Sequence, residues 1–328
     1  MAEYINIKGQ NIEVVASDPA NPTLGQIWYN STSNTLKGGG VTTVGAWATG
    51  GNMATGRANI AGTGTQTAAL AIGGYLSGGP QTNSTEEYDG SAWTSGGNLS
   101  LARNALAAAG TQTVGLAWGG DAPNPPGPNS NSTEEYDGAA WTAGGNLGTG
   151  VAYHGGCGIQ TAALSFGGYG PPTVSATEEY DGAAWTAGGS LPAAKEAVAG
   201  AGTQTAGLAI GGNSPVTNTT EEYDGSAWTA GGTLNTARHS MGAAGIQTAA
   251  LAFGGAVPPQ TGATEKYDGT SWTTSPVSMS TARSTLGGAG TQPLALAFSG
   301  VTPPGAYVTS TEEWTGPGSP LTVTITAS

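Results

Sequence analysis

The sequence predicts an all-β protein built as a closed ring of six repeated four-stranded units. Three observations carry this: a self-similar segment returning six times, a side-chain period of two inside each copy, and 58 glycines in 328 residues against a usual ~7 %. The first element is residues 64–74, Gly-Thr-Gln-Thr-Ala-Ala-Leu-Ala-Ile-Gly-Gly. It recurs at 110–120, 158–168, 202–212 and 245–255, and in a degenerate copy at 290–300 where Ser299-Gly300 replaces the double glycine. After the Gln-Thr turn, large pairs (Leu70/Ile72, Leu116/Trp118, Leu164/Phe166, Leu208/Ile210, Leu251/Phe253, Leu296/Phe298) alternate with Ala, Gly or Ser. That is a strand with one bulky and one nearly flat face, suited to radial stacking of bulky face on flat face.

A Thr-Glu-Glu-Tyr-Asp-Gly block follows each copy, with its aromatic residue at Tyr88, Tyr136, Tyr180, Tyr223, Tyr267 and Trp314. Five residues beyond each tyrosine stands a tryptophan: Trp93, Trp141, Trp185, Trp228 and Trp272. Trp47 extends this ladder backwards, while the sixth block has no such tryptophan. The N-terminus thus carries a spare final strand and the last unit lacks one, so the first segment is expected to complete the last unit and leave no long open edge. The alternating stretch 321–327 is the other candidate for closure. Trp47 is favoured because its Trp-x-x-Gly-Gly-Asn continuation matches the internal units.

Composition narrows function. Charged residues make up 9 % and the net charge is −13, which argues against nucleic acid and against anionic membrane surfaces. No apolar run approaches the ~18 residues of a membrane span, and residues 1–4 lack the basic start of a secretory signal. The single Cys157 excludes an internal disulfide, and two histidines leave little material for metal or acid–base chemistry. No Gly-x-Ser-x-Gly element and no phosphate-cradling loop is present. The expectation is a non-enzymatic protein with no cofactor, no metal and no membrane insertion.

A double glycine, then a tyrosine, then a tryptophan, repeated at about 45 residues, resembles the kelch repeat of β-propellers. A basic residue precedes the first strand (Arg57, Arg103, Lys195, Arg238, Arg283, with Val151 the exception), and a Leu or Met follows each tryptophan (Met53, Leu99, Leu147, Leu191, Leu234, Met279). The resemblance covers residues 45–318 and implies a six-bladed kelch-type β-propeller with a short N-terminal β-hairpin extension. The expected organisation is an attachment segment over 1–40, the propeller over 41–318 and a C-terminal strand over 319–328. Within the first segment, 27–36 reads as a hairpin and Lys37-Gly38-Gly39-Gly40 as a linker.

Residues 16–37, including Asp18-Pro19-Ala20-Asn21-Pro22 and Gly25-Gln26-Ile27-Trp28-Tyr29-Asn30, resemble N-terminal segments of virion proteins from marine bacteriophages, and the Thr-Glu-Glu-Tyr-Asp-Gly-Ser-x-Trp-Thr variant is similar to their repeats. This implies localisation in a virion, as a tail fibre or adhesin that binds a host-surface glycan, or as a capsid decoration protein. It also implies contact with other virion proteins through 1–40, and a homo-oligomer.

What recurs in every unit should serve the blade. The first glutamate (Glu86, Glu134, Glu178, Glu221, Glu265, Glu312) is expected to be buried and paired with the repeated base, with backbone amides standing in where Val151 breaks the series. The second, replaced once by Lys266, is expected to be exposed. The invariant glutamine (Gln66, Gln112, Gln160, Gln204, Gln247, Gln292) is expected to hold its own turn shut. What varies points to partners: the loops between the double glycine and the next glutamate hold 11, 13, 9, 8, 9 and 11 residues. They place Tyr75, Asp121, Asn124, Asn129, Tyr169, Asn213 and Asn218 as candidate glycan contacts on a rigid scaffold. An alternative is a kelch enzyme resembling the copper radical oxidases, for which Tyr153, His154, Cys157 and His239 are the available residues.

Overall fold

The computed structural model describes residues 12–20, 22, 25–41, 44–123, 129–318 and 320–325, so residues 5–7 and Asn124 lie outside the described residues. Every regular element among the described residues is a strand. The chain divides into two compact units, 46–315 and 1–45 with 316–328.

The larger unit consists of four-stranded antiparallel sheets in sequence. The first runs Ala61–Thr65, Ala68–Ile72, Thr85–Tyr88, Trp93–Ser95, and the pattern repeats through Gly242–Ile246, Ala249–Phe253, Thr264–Tyr267, Trp272–Thr274. The sixth takes Gly287–Gly290, Leu294–Phe298 and Thr311–Thr315 from the end of the chain, and its fourth strand, Ala46–Thr49, from the beginning. Trp47 lies opposite Trp314 in register, with ring centroids 5.4 Å apart, and 5.3 Å from Phe253 of the fifth sheet.

Alternation makes the core. Leu70, Ile72, Leu116, Trp118, Leu164 and Phe166 are fully buried. Leu70 and Ile72 pack with Ala117 of the second sheet, while Ala69 and Ala71 on the other face receive Leu296 and Phe298 of the sixth. A fully buried Leu or Phe contributes about 1.5–3 kcal/mol, so each sheet is held through its neighbours. Small residues on the innermost strands permit close approach: a Cβ at Gly200 would fall on the Gly156 carbonyl oxygen.

Polar contacts repeat around the ring, each reaching back to the preceding sheet. Every ladder tryptophan donates its indole N–H to the threonine that opens the neighbouring Thr-Glu-Glu-Tyr strand, as in Trp141 to Thr85 (3.0 Å), Trp93 to Thr311 (2.9 Å) and Trp47 to Thr264 (2.9 Å). At the start of each first strand, Asn59, Ala105, Tyr153, Ala197, Ser240 and Thr285 all adopt left-handed φ of 50–55°. The amide of each donates to the carbonyl of the one before, at 2.7–3.0 Å, and Asn59 donates to Thr285, so the circle is complete. Six backbone bonds close on themselves.

Two expectations are corrected here. The invariant glutamine does not hold its own turn, which the backbone already closes; its amide reaches out to two carbonyls of the preceding sheet, as in Gln160 to Gly115 and Tyr136 (2.9 and 2.8 Å). The second glutamate is not a free surface group. Glu87, Glu135, Glu179, Glu222 and Glu313 are half-buried and accept the hydroxyls of Tyr136, Tyr180, Tyr223, Tyr267 and Tyr88 at 2.5–2.6 Å. Both faces of these strands meet a neighbouring sheet, so alternation alone does not put one side in water.

The smaller unit is one four-stranded sheet. Glu13–Val15 pairs in parallel with Ile27–Asn30, which pairs antiparallel with Thr35–Val41, which pairs antiparallel with Pro320–Thr324. Lys37 to Gly40, expected as a linker, is therefore strand, because the C-terminal segment supplies backbone partners for its outer edge. That segment belongs with the N-terminal one rather than standing alone. Asp18 ties the unit together, accepting from Asn30 Nδ2 (2.7 Å) and Trp28 Nε1 (3.0 Å); these bonds, Asn30 first, hold its carboxyl below the usual range.

Candidate functional site

The connections between second and third strands and those leading into each first strand emerge together, at the end of the ring opposite the Gln-Thr turns. Bridges such as Ala58–Tyr75, Asn104–Asp121, Ala152–Tyr169 and Glu196–Asn213 tie them in pairs. This loop face carries the variable residues. Tyr75 and Tyr169 are exposed, at 36 % and 40 %. Asp121 is half-buried and accepts from Gln81 Nε2 and Asn104 Nδ2, both at 3.3 Å. Asn129 commits its amide to the Tyr169 carbonyl at 2.7 Å.

Asn213 is half-buried, its backbone paired with Glu196. Asn218 is corrected: its amide donates to the Leu234 carbonyl (3.1 Å), as Asn83 does to Leu99 and Asn131 to Leu147, so it is a repeated scaffold bond.

At the centre of this face the left-handed ring surrounds a cavity of about 100 Å³, lined by Asn59, Tyr153, Ser240 and Thr285 above Ile60, Leu106, His154 and Met241. Tyr153 is 36 % exposed; burial raises its pKa, with Asp121 and Glu196 acting in the same direction. The sequence reading passed over these ring positions as contact residues. Their signal was visible: two places after the repeated base the residue changes in kind from unit to unit, from Asn59 through Ala105, Tyr153, Ala197 and Ser240 to Thr285.

Beneath the loops lie the ion pairs. Arg57, Arg103, Arg238 and Arg283 meet Glu86, Glu134, Glu265 and Glu312 at 2.6–3.0 Å, and Lys195 meets Glu221, all buried. Burial lowers the pKa of the four guanidinium groups, the paired glutamate opposing it; Arg283, at about 10, stays charged at neutral pH like the rest. The other carboxylate oxygen of most of these glutamates takes a backbone amide, from Ala54, Ser100, Asn235 and Ser280. Pro192 occupies that place before Glu221 and has no N–H to give. Glu178 departs from its sisters: it is only half-buried, and the Gly148 amide (2.8 Å) is its bond.

The histidines and the cysteine stay apart. His154 is buried against Trp118, and among the described residues neither ring nitrogen finds a hydrogen-bond partner; burial, reinforced by Arg103, lowers its pKa to about 3. His239 sits two sheets away, its Nδ1 3.0 Å from Ser240 Oγ. Cys157 is on an inner strand, its thiol pushed up to about 12 by burial. Among the described residues, no three His, Cys, Asp or Glu side chains gather as a metal-binding group.

No protein-family model matches the sequence, and no curated protein matches it. Among solved structures the chain is similar to "Structure of YjhT", a kelch-like β-propeller, with a TM-score of 0.66 over 79 % of this chain and 95 % of that one, at 13 % identity. The fold is a β-propeller. At that identity the likeness speaks to fold, and function has to come from what the propeller presents.

Proposed function

We propose that the sheets are the six blades of a kelch-type propeller that works without catalysis in a bacteriophage virion. It is a tail-fibre or adhesin protein that binds host-surface carbohydrate through the loop face. One observation carries this reading: polar residues repeated from unit to unit are engaged between or within blades, whereas Tyr75, Tyr153 and Tyr169, at positions that change, are exposed together on one face. Aromatic and amide side chains on a rigid scaffold suit a neutral, hydroxyl-rich ligand better than an anionic one, given the net charge of −13.

The resemblance of residues 16–37 to phage virion segments supports the location. The separate compact unit, in which Pro320–Thr324 joins the sheet of Glu13–Val15, Ile27–Asn30 and Thr35–Val41, supports a role in attachment to other virion proteins and in homo-oligomer assembly. Such an attachment unit serves equally a capsid decoration protein, the second reading. Immunogold electron microscopy of purified phage particles, with antibody against residues 46–315, tests both. Label on the tail supports the adhesin, label over the capsid supports decoration, and particles without label overturn the virion assignment.

A further inference from the structure

We infer that the third sheet contains a ligand site for a guanidinium group, held by Glu178 in the place its sister sheets fill with their own arginine or lysine. In the first sheet Arg57 Nη1 donates to the carbonyls of Gly73 and Ser84, both at 2.8 Å, and Nη2 to Glu86 Oε1 at 2.6 Å. Arg103 and Arg238 repeat this triplet at 2.7–2.9 Å. The equivalent acceptors in the third sheet are the carbonyls of Gly167 and Ala176 and the Glu178 carboxylate, but the donor position is Val151.

The short valine leaves a cavity of about 90 Å³ whose lining includes Val151, Ser165, Gly167, Ala176 and Glu178. A water molecule's share of liquid volume is ~30 Å³, so the space admits a planar guanidinium. Glu178 Oε1, the atom that receives the cation elsewhere, has no partner among the described residues; Oε2 keeps the Gly148 amide.

A second observation points the same way. The strand position of Ser165 is alanine in the other five units (Ala71, Ala117, Ala209, Ala252, Ala297). At this strand position only the sheet without its own cation carries a hydroxyl, and Ser165 belongs to the cavity lining. Ser165 is 4 % exposed, and that hydroxyl meets no hydrogen-bond partner among the described residues. The Glu178 carboxylate, the Gly167 and Ala176 residues and Ser165 converge on this space. The Ala176 carbonyl takes the Gly167 amide at 2.9 Å, as the Ser84 carbonyl takes the Gly73 amide, and Glu178 Oε2 takes the Gly148 amide, so what is left open is the place of the guanidinium donors of the sister sheets.

Guanidinium is favoured over ammonium by a further detail. Where lysine replaces arginine, Lys195 Nζ uses the Thr219 hydroxyl beside Glu221. The third sheet has Ala176 at the Thr219 position, leaving two carbonyls that suit a planar fork of N–H groups. The cavity lining also includes Gly150 and Gly170, from the connections of the loop face. The site does not depend on where the protein resides, so it stands apart from the virion reading.

Isothermal titration calorimetry on the full chain at low salt tests this, with ethylguanidinium, N-acetyl-arginine-methylamide and ethylammonium as probes. Saturable binding of ethylguanidinium, weaker for ethylammonium, is expected. Binding falls at least about tenfold in Glu178→Gln and vanishes in Val151→Arg, whose own side chain fills the cavity and raises the Tm. If the arginine derivative binds as well, the natural source is an arginyl side chain of a partner; if only ethylguanidinium binds, it is a small free guanidine. Absence of saturable binding by both guanidinium compounds overturns the site, and so does binding that Glu178→Gln leaves unchanged.

Discussion

The Tyr180 hydroxyl donates to the Glu135 carboxylate of the preceding sheet across 2.6 Å, while accepting the Gly145 amide at 3.4 Å. Burial pushes Tyr180 up to about 12, with the bond to Glu135 adding to the effect, so the phenol stays a donor at any physiological pH. A Cβ at Gly144 would stand 2.8 Å from that hydroxyl, which explains the first glycine of the Trp-x-x-Gly-Gly element. At the junction between fifth and sixth sheets the glutamate is Lys266, the tyrosine is Trp314 and the glycine pair is Ser275-Pro276. The three positions that meet in one contact at the other junctions are all different at this one.

Tyr180→Phe should therefore destabilise the fold by about 1.5–3 kcal/mol, the range for a hydrogen bond to a charged group. Denaturant unfolding measures this directly. An unchanged midpoint would mean that the contact is incidental.

Ring closure through Trp47 makes a second claim. Trp47 keeps a ring contact to Trp314, another to Phe253 and an indole bond to Thr264, the same kinds of contact that Trp93 makes within its own unit and with the sixth sheet. Trp47→Ala and Trp93→Ala should each cost about 3 kcal/mol, by loss of a large packed aromatic. Thermal unfolding of the pair is the check, and a near-neutral Trp47→Ala would place closure elsewhere.

His154 sets a pH dependence. Its folded pKa, about 3, lies below the ordinary 6.5, so the unfolded chain takes up the proton first. The contribution is complete above pH 6.5 and is lost as pH falls towards 3. Between pH 7 and pH 4 the loss is roughly 3 kcal/mol. His154→Leu, which restores the apolar residue found at Leu106 and Leu286, should remove that part of the acid sensitivity. Parallel Tm–pH curves for the two proteins would contradict it.

Much of the fold was legible in the sequence because the ring writes each contact five or six times. The strand alternation, the spare tryptophan and the Arg–Glu pairing follow from comparing the chain with itself. The roles of Gln160 and Glu135 were not legible, since one chain shows that they recur but not that their partners lie in the preceding sheet for one and the following sheet for the other. Pairing of Thr35–Val41 with Pro320–Thr324 was hidden for a related reason: Gly38, Gly39 and Gly40 offer no side-chain period, and their partner lies at the far end of the chain.

The loop candidates were read by residue type, and of them Tyr75 and Tyr169 are exposed. Residue type cannot distinguish them from Asn218, whose bond to Leu234 depends on backbone geometry. Val151 was visible as an exception in the series, and its consequence, a cavity beside Glu178, needed the neighbouring strands.

The most direct measurement of the loop-face assignment is binding of the purified, fluorescently labelled protein to host cells. Wild type is compared with the double substitution Tyr75→Ser, Tyr169→Ser and with Ile159→Ser, Ile246→Ser on the opposite, exposed turns. Saturable binding that the loop-face pair abolishes at unchanged Tm, and that the turn pair leaves intact, is the expected result. Wild-type protein that does not bind, or binding equally insensitive to both pairs, would contradict the account.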